Sequence, residues 1–123
     1  MAKAVGVGGV FLKARDPQAL ALWYAEHLGI AMQESGSLVF DGPESAGRTI
    51  FACFPVDTEY FGRGEQQAMI NFRVDDLDAL LQQLAAAGVR IDSNREDHAS
   101  YGRFAWIWDP EDNRVELWQA PAR

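Results

Sequence analysis

Apolar residues along this chain recur with a period near 2 in some stretches and near 3.6 in others, and the switches between the two mark the elements. Val5 to Ala14 is apolar and rich in glycine and predicts a strand. Arg15-Asp16-Pro17 opens a helix: Asp16 suits the N-cap and Pro17 the first helical position. Leu20, Trp23, Tyr24, His27 and Leu28 recur on one helical face, and Gly29 ends the helix. Ile30 to Glu34 and Leu38 to Asp41 predict two short antiparallel strands around a Ser35-Gly36-Ser37 turn. Residues 42–47 read as a loop and Arg48 to Phe54 as a strand. Pro55 to Gly64 connects onward, and its Tyr60 and Phe61 imply a segment packed on something. Met69 to Val74 predicts a strand. Asp75-Asp76 caps a second helix, with Asp78 in its first turn and Leu77, Leu80, Leu81 and Leu84 as its apolar stripe. Gly88 stops it. Val89 to Ile91 reads as a strand and Asp92 to Ser100 as a polar loop. Arg103 to Trp108 and Arg114 to Trp118 then form a hairpin around Asp109-Pro110-Glu111-Asp112-Asn113, a run of turn-forming residues.

The two halves repeat. Shifting the chain by 60 lays Val10 to Leu20 on Ile70 to Leu80, with Asp16 on Asp76, Ala19 on Ala79 and Leu20 on Leu80. Each half reads strand, helix, three strands. The prediction is an α+β fold: duplicated βαβββ modules forming a curved mixed sheet with a concave cup. The expected organisation is a single domain over 1–123 with repeats at about 5–55 and 67–119. Strand alternation turns Val10, Leu12, Ile70, Phe72, Val74, Val115 and Leu117 toward the helices. It turns Phe11, Lys13, Met69, Asn71, Arg73, Arg114, Glu116 and Trp118 toward the cup.

Composition narrows the function class. A net charge of −7 argues against nucleic acid or an anionic membrane as partner, since both select a basic face. The single cysteine, Cys53, permits no intrachain disulfide and fits a reducing compartment. It reads as a buried thiol rather than a nucleophile. Ala4 to Leu12 is too short to span a bilayer and no cleavage-like site follows it. The expectation is a soluble, cytoplasmic protein. His27, in the last turn of the first helix, is explained by the helix dipole.

The βαβββ repeat, the Asp-capped helix after each first strand, the segment FRVDDLDALLQQLAAAGV and the hairpin DPEDNRVELW resemble the vicinal oxygen chelate superfamily. That group includes glyoxalase I, extradiol dioxygenases, fosfomycin-resistance enzymes and bleomycin-binding proteins. The resemblance covers about residues 5–119, is most specific in the closing hairpin, and is strongest to the small glyoxalase-like members. In metal-dependent members it implies a ligand on the first strand of each half and a Glu on the last strand. The glyoxalase I type adds a carboxylate on the fourth strand. The matching positions here are Gly9, Met69, Glu116 and Ala52. One carboxylate among Gly, Met and Ala would hold a divalent ion weakly, so the expectation is no metal and no other cofactor. His98, placed in a loop, adds no support for one. Asp112 stands where the superfamily's turn usually has Gly, which touches the turn and not the site.

Glu116 carries the sharpest chemical expectation. Without a metal, a carboxylate in an apolar cup is desolvated and suited to acid or base work near neutrality. The candidate catalytic residue is therefore Glu116. The candidate substrate-binding residues are Phe11, Met69, Asn71, Arg73, Tyr101, Arg103 and Trp118, with Tyr101 and Arg103 closing over the mouth. Two functions follow. One is a glyoxalase/bleomycin-resistance-like protein that binds a small aromatic or cationic molecule in the cup without the metal site; the four Trp and the acidic balance suit a cation. The alternative is a lyase or isomerase that uses Glu116 as acid/base, or as a ligand to a divalent metal. Against both stands a purely structural role, with Arg73 and Glu116 paired inside a filled core. The resemblance further implies a homodimer, and the composition gives no nucleic-acid or membrane partner.

Overall fold

Strand, helix and three strands follow one another twice along the chain. The structure, a computed structural model, describes residues 1–41 and 47–121. Most of the loop expected over 42–47 therefore lies outside the described residues. The first run is β1 (Ala4–Ala14), α1 (Pro17–Leu28), β2 (Ala31–Met32), β3 (Leu38–Asp41) and β4 (Arg48–Pro55). The second is β5 (Ala68–Val74), α2 (Leu77–Ala86), β6 (Ile91–His98), β7 (Gly102–Trp108) and β8 (Arg114–Gln119). The helices start in the same way. The Asp16 carboxylate accepts from the Ala19 N–H at 3.1 Å, and the Asp76 carboxylate accepts from the Ala79 N–H at 3.1 Å. Gly29, in the left-handed region at φ 69°, terminates α1.

The chain divides into two compact units, Gly8–Ile70 and Met1–Val7 with Asn71–Arg123. In Gly8–Ile70 the strands run in the order β2-β3-β4-β1, with β4 parallel to β1. In the other unit they run β5-β8-β7-β6, with β8 parallel to β5. Strands β1 and β5 pass through both units and are bonded in each. Lys13 N–H donates to Gln67 C=O at 3.0 Å in one, and Asp75 N–H to Lys3 C=O at 3.2 Å in the other. Each unit thus carries a mixed sheet with one helix, an α+β architecture.

In Gly8–Ile70, the connecting segment packs as its aromatics imply. Phe61 is fully buried, and its ring meets Phe54 edge-on at 5.3 Å. Phe54 also stacks on Tyr60 at 5.5 Å and contacts Phe11 at 5.5 Å. Lys13 lies over Phe61 and donates from Nζ to the Gly64 carbonyl at 2.9 Å, so its stem covers the cluster while its charge stays solvated. Helix α1 is rotated from the expected face. Ala21 is its buried residue and Tyr24 meets Phe51 at 4.8 Å, whereas Trp23 and Leu28 are 48% and 62% exposed. The run Ala19-Leu20-Ala21-Leu22-Trp23-Tyr24-Ala25 is apolar almost all round, so no polar face fixed the rotation.

In the second unit, the stripe of α2 faces inward as expected. Val74, Leu77, Ala105 and Leu117 form a buried cluster with Phe72, Leu80, Leu81, Leu84, Ile107 and Val115 packed on it. One expected element was wrong. Asp92 to His98 is strand and not loop, and Val89 and Arg90 precede it. β6 lies at the edge of the sheet, where the ladder to β7 needs only backbone groups and polar side chains guard the open edge. Its charges pair across the ladder, as Asp97 does with Arg103 at 3.4 Å.

Candidate functional site

The face of β5, β8 and β7 that points away from α2 carries the buried polar groups of the second unit. Asn71 lies opposite Glu116 in the parallel β5–β8 register, and Trp106 lies opposite Glu116 in the antiparallel β7–β8 register. All three are almost fully buried, at 3%, 2% and 2% exposure. Asn71 donates from Nδ2 to Glu116 Oε2 at 2.6 Å, a short hydrogen bond. The other end of that amide, Oδ1, is buried with no hydrogen-bond partner among the described residues. A buried carbonyl oxygen left unsatisfied costs about 1–3 kcal/mol, so it calls for a donor from elsewhere.

Arg114, two residues before Glu116 on the same face, is neutralised locally. Its Nη2 donates to Asp92 Oδ2 at 2.7 Å, and its guanidinium lies 5.0 Å from the Trp106 ring and 5.9 Å from the Trp108 ring. The hydrogen bond from Arg114 holds the Asp92 carboxyl below the usual carboxylate range against the opposing effect of desolvation. The Asn94 N–H adds to it at 2.9 Å. Arg73 stands opposite Trp118 in the register, and its guanidinium lies against the Gly6 backbone. A Cβ at position 6 would sit 2.5 Å from Arg73 Nη2, so a side chain there would displace the guanidinium.

The structure brings some of the expected residues together and not others. Asn71, Glu116, Arg73 and Trp118 share the β5–β8 pair. Trp118 stacks on Phe104 at 6.2 Å and donates from Nε1 to the Tyr101 carbonyl at 2.6 Å. Tyr101 thus takes part through its backbone, while its side chain is exposed. Arg103 lies on the α2 side of β7, where Nη2 donates to both Asp78 oxygens at 3.0 Å. The strand's alternation carries it away from Glu116 and toward the helix's first turn, so it does not close over that face. Phe11 and Met69 belong to Gly8–Ile70, both buried, with Phe11 held among the aromatics described above. His98 pairs with Glu96 at 3.2 Å on exposed β6. Trp106 was missed by sequence reasoning. Its only signal was the alternation of the hairpin, which places it across from Glu116.

The donor set does not fit the superfamily's divalent metal. At Gly9 the space a ligand side chain would occupy holds the Phe11 ring, 2.9 Å from where a Cβ would lie. Met69 offers a thioether and Ala52 nothing. Among the described residues no three His, Cys, Asp or Glu side chains gather as a metal site would need.

The model of the Glyoxalase/Bleomycin resistance protein/Dioxygenase superfamily matches residues 6–117. The chain belongs to this superfamily. Solved structures of the same fold include methylmalonyl-CoA epimerase from Mycobacterium tuberculosis, 23% identical over 98% of this chain and 90% of that one, with a TM-score of 0.66. A variant of the Streptomyces coelicolor methylmalonyl-CoA epimerase in complex with 2-nitronate-propionyl-CoA is 15% identical over 98% and 100%, with a TM-score of 0.72. Catechol 2,3-dioxygenase is 20% identical over 98% of this chain and 41% of that one, with a TM-score of 0.66. No curated protein matches the chain. Among the described residues, no helix of this superfamily member is long and apolar enough to cross a membrane.

Proposed function

We propose that this superfamily member binds a small organic molecule on the Glu116 face without a divalent metal. The observation that carries the reading is the Asn71–Glu116 pair: a buried carboxylate beside a buried amide whose Oδ1 waits for a donor. The amide oxygen offers an acceptor, and Trp106 lies across from Glu116 in the register. That combination suits a ligand with an N–H or a protonated amine set against an aromatic surface. Thermal shift with small aromatic amines tests it. Wild type is stabilised, and Glu116→Gln, which keeps shape and burial, loses the shift. Equal shifts in both proteins would remove Glu116 from the site. Elemental analysis of untagged protein purified without chelator is the companion test: near-stoichiometric Ni, Zn, Mn or Fe would overturn the metal-free reading.

A second reading is favoured by the burial of Glu116. A carboxylate removed from water is placed to exchange a proton with a carbon acid, which makes an isomerase of the superfamily's type the alternative. The epimerases of similar fold supply the probe. Deuterium uptake at the 2-position of methylmalonyl-CoA in heavy water, present in wild type and absent in Glu116→Gln, would select the enzyme. On either reading the protein is a cytoplasmic homodimer, supported by the lone Cys53 and by the resemblance, and sedimentation at micromolar concentration tests the dimer.

A further inference from the structure

A cavity of about 300 Å³ lies within Gly8–Ile70, between the first turns of α1, the turn joining β2 to β3, and β4. It is separate from the residues around Glu116, none of which lines it. It is a groove along the helix–sheet junction, partly open to solvent. One turn further along α1 the groove is filled by the Tyr24 and Phe51 rings in edge contact at 4.8 Å. At the cavity the facing side chains are Ala21 on the helix and Cys53 on the strand, since β4 alternates and Phe51 meets the helix at Tyr24. The groove is open to solvent on the side of Leu22 and Met32, which are 49% and 39% exposed, and Ala21 forms its buried floor.

The lining is uncharged. Pro17, Leu22 and Met32 add apolar surface, and Gln18 on α1 with Ser35 and Ser37 on the β2–β3 turn add polar groups. None of the lining residues is charged, in a chain where 24% of residues are. Burial pushes the Cys53 thiol up from its ordinary value, so this wall also stays neutral at pH 7. The space is at the lower end of the sizes that hold small organic molecules. Met32, unbranched and deformable, forms part of the mouth and can adapt to different shapes.

We propose that this cavity is a second binding site, for a compact neutral molecule with an apolar body and one hydrogen-bonding end. The body fills the groove over Ala21 and Cys53, and the polar end meets Gln18, Ser35 or Ser37. A charged ligand is disfavoured, because no counter-charge lines the space and desolvation would go unpaid.

Cys53 makes the test direct. Indole serves as probe: it is neutral, aromatic and has one N–H. The rate of Cys53 alkylation by N-ethylmaleimide is measured in wild type, Ala21→Leu, Met32→Trp and Glu116→Gln. At an indole concentration ten times its dissociation constant, alkylation in wild type should slow about tenfold, as mass action requires. Ala21→Leu fills the cavity from its floor and should abolish protection. Met32→Trp plugs it from an exposed position and should do the same if Ala21→Leu fails to fold. Glu116→Gln should retain full protection, which separates this site from the Glu116 face. Unchanged alkylation of wild type at millimolar indole would overturn the proposal, as would protection that survives in the folded plug variants.

Discussion

Gly8–Ile70 and the unit made by Met1–Val7 with Asn71–Arg123 use the same helix cap and the same strand order, yet they treat the sheet face away from their helices in opposite ways. In the first, Phe11, Phe54, Tyr60 and Phe61 close the face with rings, and Lys13 reaches out of the cluster to the Gly64 carbonyl. In the second, the equivalent strands bury Asn71, Glu116 and the Arg114–Asp92 pair. Repeat-related positions thus diverged in chemistry while the backbone plan stayed. A face closed by aromatics is stable without help. A face carrying a buried carboxylate and an amide oxygen with no partner among the described residues is not what packing alone would select.

The largest expected effect tests the aromatic face. Phe61→Ala removes a fully buried ring and should cost about 3–5 kcal/mol in urea unfolding. A cost under about 1 kcal/mol would show that the aromatic face is not a core.

The next effect has the opposite sign. Replacing both members of the polar pair, as Asn71→Leu with Glu116→Leu, should raise stability by about 1–4 kcal/mol while ligand binding is lost. Thermal melts of the double variant check it. A strong loss of stability instead would mean that the pair holds the fold, and the functional reading of that face would fall.

A third test uses pH. Arg114 lowers the Asp92 carboxyl in the folded chain, so this pair contributes stability above the ordinary carboxylate value and loses it as pH falls through the lower folded value. Asp92→Asn should therefore flatten the acid limb of the stability profile and leave its neutral limb parallel to wild type. An unchanged acid limb would remove the pair from acid unfolding.

The smallest effect is local. Asp112 sits at φ 68° in the β7–β8 turn, a conformation Gly adopts freely. Asp112→Gly should gain about 0.5–1 kcal/mol, since the Arg90 ion pair it removes is 3.9 Å long and exposed. A measured loss would show that the turn prefers the Asp.

Much of this was legible in residues. Asp16 and Asp76 announced both helices, the leucine stripe of α2 announced its buried face, and the hairpin announced the superfamily. Three things were not. Helix α1 has apolar residues on nearly every side, so its rotation was set by which of them the sheet accommodated. β6 carries Asp92-Ser93-Asn94-Arg95-Glu96-Asp97-His98, which no alternation marks as strand, because an edge strand is held by its backbone. Arg103 looked like a mouth residue until its parity on β7 placed it against Asp78.

The sequence by itself determined the duplicated plan, the absence of donors at Gly9, Met69 and Ala52, and the presence of Glu116, because these are properties of residue identity and local period. Only the tertiary structure decided that Asn71, rather than Arg73, lies directly opposite Glu116, that the Phe11 ring takes the place beside Gly9, and that Ala21 and Cys53 line one groove. Strand register and helix rotation are set by long-range packing between segments far apart in the chain, and no local pattern encodes them.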